Sequence, residues 1–117
     1  MDLDAFDELV RSYSGVRRTT TGGRPRWQLG GRLVARLLDD THVVVRVPFD
    51  VRDALLQQYP DVFSVPRRFA QHMMVVADLT EGDDGALEDA VGSAWRLQRG
   101  EERRRRRELV RGRGPSN

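Results

Sequence analysis

The stretch RWQLGGRLVARLLDDTHVVVRV, residues 26–47, decides the fold. Three runs rich in apolar and β-branched residues, Arg26 to Leu29, Leu33 to Leu38 and His42 to Val47, are separated by Gly30-Gly31 and Asp39-Asp40. Short runs with turn residues between them predict consecutive antiparallel strands joined by tight hairpins. Paired glycines accept positive φ at little steric cost, as a two-residue hairpin turn requires. Pro48 has no N–H for a strand ladder and closes the third run.

The register of the first hairpin stays open on the residues alone. A two-residue Gly-Gly turn pairs Leu29 with Arg32 and sets Trp27, Val34 and Arg36 on one side. A three-residue turn aligns Trp27 and Leu29 with Leu33, Ala35 and Leu37. That second register gives the cleaner apolar stripe, buries Trp27, and leaves Arg26 and Arg36 facing solvent on adjacent strands.

Outward from this core the pattern changes. Val16 to Thr20 reads as a preceding strand. Before it, Leu3, Phe6, Leu9, Val10 and Tyr13 recur at spacings of three and four, predicting a helix over Asp4 to Ser14. Asp2 or Asp4 can cap it, and Gly15 suits its C-terminal side. After Pro48 a short helix is expected from Asp50 to Gln58, with Asp50 as cap and Val51, Ala54 and Leu55 inward. Residues 61–71 read as a loop or short strand, and His72 to Leu79 as the last strand. Leu87, Ala90, Val91, Ala94 and Leu97 then mark a third helix.

The apolar stripe ends at Gln98. The run Arg103 to Arg107 can extend the helix as a solvated rod, supported by Glu101–Arg105 and Glu102–Arg106 pairs four residues apart. Residues Arg111 to Asn117 are expected to lack regular structure. The chain thus divides into an α+β domain over 1–98 and an Arg-rich tail over 99–117. Hairpin strands make an antiparallel sheet, and three amphipathic helices can cover one of its faces. The predicted fold class is an α+β two-layer sandwich.

Composition narrows the function classes. With 117 residues there is room for one core, and with no cysteine there is neither a disulfide nor a thiolate metal site. No apolar run approaches the roughly 20 residues that span a bilayer. The acidic start Met1-Asp2-Leu3-Asp4 is unlike a signal peptide, so a cytoplasmic protein without membrane attachment is expected. All 20 basic residues are Arg, the better forked donor to phosphate, although a GC-rich genome produces the same bias. The net charge of +2 conceals a net +6 over residues 96–117, nine Arg against three Glu.

Three segments carry a resemblance. Gly23-Arg24-Pro25-Arg26-Trp27-Gln28-Leu29-Gly30-Gly31-Arg32 looks like the Gly-x-Pro-x-aromatic hairpin of the MmcQ/YjbR family, with Arg32 where Lys is usual. Tyr59-Pro60-Asp61-Val62-Phe63 with Pro66, and Ser93-Ala94-Trp95-Arg96-Leu97, resemble the segments after that family's second helix and at the end of its last. His72-Met73-Met74-Val75 lacks the Trp often found at the start of the last strand. The resemblance covers about residues 3–98. It implies a two-layer sandwich similar to frataxin-like and secretion-chaperone-like folds. It also implies DNA binding, which is ascribed to the family by analogy with a "double wing" domain.

Catalysis and metal binding find little footing. His42 and His72 fall in predicted strands, and Ser12, Ser14, Ser64 and Ser93 lack a nucleophile context. Asp2, Asp4, Asp7 and Glu8 crowd the first helix as in frataxins, yet acids there complement the helix dipole. Asp83-Asp84 reads as a turn and cap. No catalytic residue, metal site or cofactor is assigned.

Polyanion binding is the positive expectation. Arg24, Arg26, Arg32, Arg36 and Arg46 lie on the hairpin strands or their turns, Arg67 and Arg68 on the following loop. Arg103, Arg104, Arg105, Arg106 and Arg107 form the tail run. Together these are the candidate contacts to DNA or another polyanion. The alternative is an adaptor domain, monomer or weak homodimer, acting through an open sheet face with Val44, Met74 and Val76 exposed.

Overall fold

The computed structural model describes residues 1–112, apart from the side chains of Glu102, Arg111 and Gly112. Helix α1 (Leu3–Arg11) precedes four strands, β1 (Arg17–Thr21), β2 (Arg24–Leu29), β3 (Arg32–Leu37) and β4 (His42–Arg46). Helix α2 (Phe49–Gln58), the short β5 (Phe63–Ser64), a 3₁₀ turn (Arg67–Phe69), β6 (Met74–Asp78) and helix α3 (Asp84–Gly112) follow. The sheet is antiparallel throughout, in the order β1-β2-β3-β4-β6-β5. The fold is the α+β two-layer sandwich that the strand and helix pattern predicts.

Alternation along the strands sorts the side chains. Pro25, Trp27 and Leu29 of β2, Val43 and Val45 of β4, and Val75 and Ala77 of β6 are buried. Except for Pro25, these join Phe6 and Val10 of α1, Leu55 of α2 and Leu87, Ala90, Val91 and Ala94 of α3 in the main core. Trp27 is its largest fully buried side chain, edge-on to Phe6 with ring centroids 5.2 Å apart. Its Nε1–H donates to Asp7 Oδ1 at 2.8 Å, so the indole is both packed and satisfied.

The β2–β3 hairpin resolves the register by a device that neither simple reading contains. Gly30 and Gly31 have φ of 58° and 79°, and Leu29 faces Arg32, as a two-residue turn dictates. One step later the register shifts: Gln28 faces Leu33, but Trp27 faces Ala35. Val34 is an extra residue on β3, a β-bulge. The bulge brings Ala35 and Leu37 onto the core face beside Trp27 and turns Arg36 to the other side, despite the two-residue turn. It also sets Arg26 opposite Arg36.

Of the local expectations, the cap of α1 is met by one of its two candidates, and several others need correction. Helix α1 is capped by Asp2, whose carboxylate accepts from Ala5 N–H at 2.8 Å. Helix α2 begins at Phe49 behind Pro48 and has no side-chain cap, so Asp50 sits inside its first turn. Ala54 is exposed, because Leu55 with the half-buried Val51 and Leu56 makes the contact. His72 precedes β6 and lies in a turn. Helix α3 runs unbroken past Gln98 to Gly112, so its helical part includes Arg111 and Gly112; residues 113–117 lie outside those described. Its 29 residues explain a molecule 58 Å long and only 28 × 25 Å across. Along the rod Glu101 pairs with Arg104 at 3.0 Å, one residue nearer than the spacing predicts.

Asp7 ties α1 to the hairpin. Beyond Trp27 it lies 3.2 Å from Arg18 and 3.4 Å from Arg11, with 13% of its side chain exposed. Burial pulls its pKa up, but the Trp27 hydrogen bond and the two guanidinium groups outweigh that and hold it below the usual carboxylate value. A depressed folded-state pKa gives stability that is present above the ordinary carboxylate pKa and lost as pH falls through the folded one. Asp7→Asn should therefore cost about 1–2 kcal/mol at neutral pH, shrinking as the acid limb is entered. Urea titrations of both proteins at neutral and acid pH check this; an equal gap at every pH would contradict it.

Candidate nucleic-acid interface

The face of the sheet away from the main core divides in two. Over β4 and β6, Val44 and Val76 are buried beneath Phe69 of the 3₁₀ turn, with Leu38, Val65 and Met74 around them. Val44 is fully buried and Val76 is 3% exposed, so the expected apolar patch of Val44, Met74 and Val76 is not open. A small second core closes it.

The segment that covers it is pinned by Arg52 of α2. Its guanidinium donates to the carbonyls of His72 at 2.8 Å, Ala70 at 3.1 Å and Phe69 at 3.3 Å. These bonds satisfy backbone groups in a stretch that has little ladder of its own. Sequence reasoning gave Arg52 no role. A lone Arg on a short helix carries no signal that it reaches a loop some twenty residues away.

Over β1 to β3 the same face is polar and cationic. Register places Arg17, Thr19 and Thr21 of β1 beside Gln28, Arg26 and Arg24 of β2. Arg36 of β3 follows, opposite Arg26. Arg68 reaches this group from the 3₁₀ turn, its guanidinium 4.8 Å from the Phe69 ring centroid, and Arg36 lies 5.7 Å from the same ring. Burial lowers the Arg36 pKa first, and Arg26, Arg68 and Arg24 push it further in the same direction. Four guanidinium groups therefore share one electrostatic neighbourhood. Among the described residues none of them has a carboxylate within ion-pair distance. Arg24 donates to the Leu38 carbonyl, which holds its stem along the hairpin. Arg17 was missed in the sequence, because its facing depended on the β1–β2 register.

The remaining candidates fall elsewhere. Arg32 faces Leu29 and so leaves this side of the sheet; it lines a cavity with Arg46 at the opposite end of the strands. Arg67 is exposed on the 3₁₀ turn. On α3, Arg103 and Arg106 join Arg99 in lining a 300 Å³ hollow against Gly15 and Gly30, so the rod's base adjoins the body. Arg105 and Arg107 are exposed, and Arg104 is held by Glu101.

Among the described residues His42 lies near carboxylates, with Nδ1 2.9 Å from Asp39 and Nε2 3.7 Å from Asp78. Asp39 also accepts from the Thr41 and His42 N–H groups, an Asx turn that closes the β3–β4 hairpin. The Thr41 backbone bond first, then the hydrogen bond to the His42 ring, lower the Asp39 pKa, and the Thr80 hydroxyl does so first for Asp78. The cluster is a turn lock in its geometry.

The chain is a small α+β sandwich whose uncovered half-face presents an unneutralised Arg cluster. No family model, curated protein or solved structure matches it. Among the described residues, no helix is long and apolar enough to cross a membrane.

Proposed function

We propose that this is a non-enzymatic, cytoplasmic nucleic-acid-associated protein that grips the phosphate backbone of DNA with the β1–β3 half of its sheet. The observation that carries the reading is the crowding of Arg24, Arg26, Arg36 and Arg68 without carboxylate partners. Like charges held together in a partly buried setting destabilise a free protein and are relieved by an anion. Thr19, Thr21 and Gln28 add neutral donors on the same face, of the kind that position a phosphate backbone. With Trp27 in the core, that face offers no indole to stack on a base. The grip is sequence-tolerant, therefore, and salt-sensitive.

The exposed arginines of α3 supply a second, non-specific arm. The resemblance to the MmcQ/YjbR family supports the same assignment, and the α–four-strand–α–two-strand–α order is compatible with it. The adaptor reading loses its main support with the burial of Val44 and Val76.

Fluorescence anisotropy with a short labelled duplex tests the proposal. Binding should be measurable at low ionic strength, collapse by on the order of 10³-fold or more as salt rises to about 0.2 M, and weaken when residues 99–117 are removed. Absence of binding at low salt refutes it.

A further inference from the structure

The bulge at Val34 has a second effect, at the far end of the sheet from the Arg24 side. Strand β3 pairs with β4 only over Ala35 to Leu37, so beyond the bulge Arg32 and Leu33 part from Arg46. The gap is a cavity of about 450 Å³. Arg32 and Arg46 line it from the two strands, Met73 and Met74 from the entry to β6, and Leu97 and Gln98 from α3. Gln98 is 5% exposed, and its Nε2 donates to the Leu33 carbonyl at 2.7 Å, beyond the last β3–β4 pair. That bond holds the separated strand in place and braces the cavity wall.

The lining is chemically two-sided. Arg32 and Arg46 have no carboxylate partner among the described residues; Glu101 also reaches the rim, but it is engaged by Arg104. The two methionines and Leu97 form an apolar, deformable wall. The volume lies in the range of small-molecule sites, and bulges are over-represented beside such sites. We infer that this cavity binds a small amphipathic anion, a phosphate or carboxylate head held between Arg32 and Arg46 with a short apolar body against Met73, Met74 and Leu97. The site is separate from the DNA-binding face, and neither depends on the other.

Titration of the full chain, labelled at the methionine methyl carbons, with hexyl phosphate, hexanoate, inorganic phosphate and hexanol tests the inference. Hexyl phosphate or hexanoate should shift the Met73 and Met74 signals saturably, and the tighter of the two names the head group. Inorganic phosphate and hexanol should each bind on the order of tenfold more weakly, since each lacks one half of the recognition. An R32Q/R46Q double variant should lose on the order of tenfold in affinity for the anionic probe, whereas R26Q/R36Q should keep it. The inference fails if neither probe moves those signals at millimolar concentration, if inorganic phosphate binds as tightly as hexyl phosphate, or if R32Q/R46Q binds like the native chain. Loss of DNA binding with this titration intact would overturn the polyanion reading alone.

Discussion

Trp27→Ala should cost about 3–5 kcal/mol, a large share of the stability that a domain of this size possesses. Three losses coincide. The fully buried indole leaves a cavity that the sheet cannot collapse, because Trp27 is flanked by β1 and β3 on either side. The edge-on contact with Phe6 disappears, loosening α1. Asp7 keeps its two arginines but loses the Nε1–H that satisfied its other oxygen. Trp27→Phe should recover much of the packing without the hydrogen bond, and fall between the two. Equilibrium urea unfolding of the three proteins is the check; a loss below about 1 kcal/mol for the alanine variant would mean that Trp27 is not central to the core.

The second large effect concerns binding and leaves the fold alone. R26Q/R36Q/R68Q should lower affinity for duplex DNA at low salt by on the order of 10²-fold, since three phosphate contacts are withdrawn together. The same variant should melt no lower than the native chain. Arg36 is held among like charges with its charged form disfavoured, so replacing it relieves repulsion. R32Q/R46Q is the matched control: it removes charge from the other end of the sheet and should cost DNA binding little. Anisotropy and thermal melts on the same samples separate a lost contact from a lost fold. Equal loss of DNA affinity in both variants would disperse the interface over the whole surface.

Much of the architecture was legible because local chemistry and global fold agree. Hydrophobic period marked α1, the hairpin strands and the packed half of α3, and Gly30-Gly31 placed a turn where the chain has one. What stayed hidden was long-range. The bulge at Val34 is a feature that no window of the sequence displays, and it decides that Ala35 faces Trp27 and that Arg26 meets Arg36. Phe69 looked like a loop aromatic; its role as the cover over Val44 and Val76 requires Arg52 to hold the loop. The cationic face was half visible. Arg24, Arg26, Arg36 and Arg68 were named and converge, Arg32 and Arg46 were named and do not, and Arg17 was missed for want of the β1–β2 register.

The salt dependence of duplex binding, compared between the native chain and R26Q/R36Q/R68Q, puts the cationic half-face to its most direct trial. Plotted as the logarithm of affinity against the logarithm of salt concentration, the native line should be steep and the variant line shallower by roughly 2–3 units of slope. Parallel lines would show that these arginines release no counterions, and that the phosphates are held somewhere else.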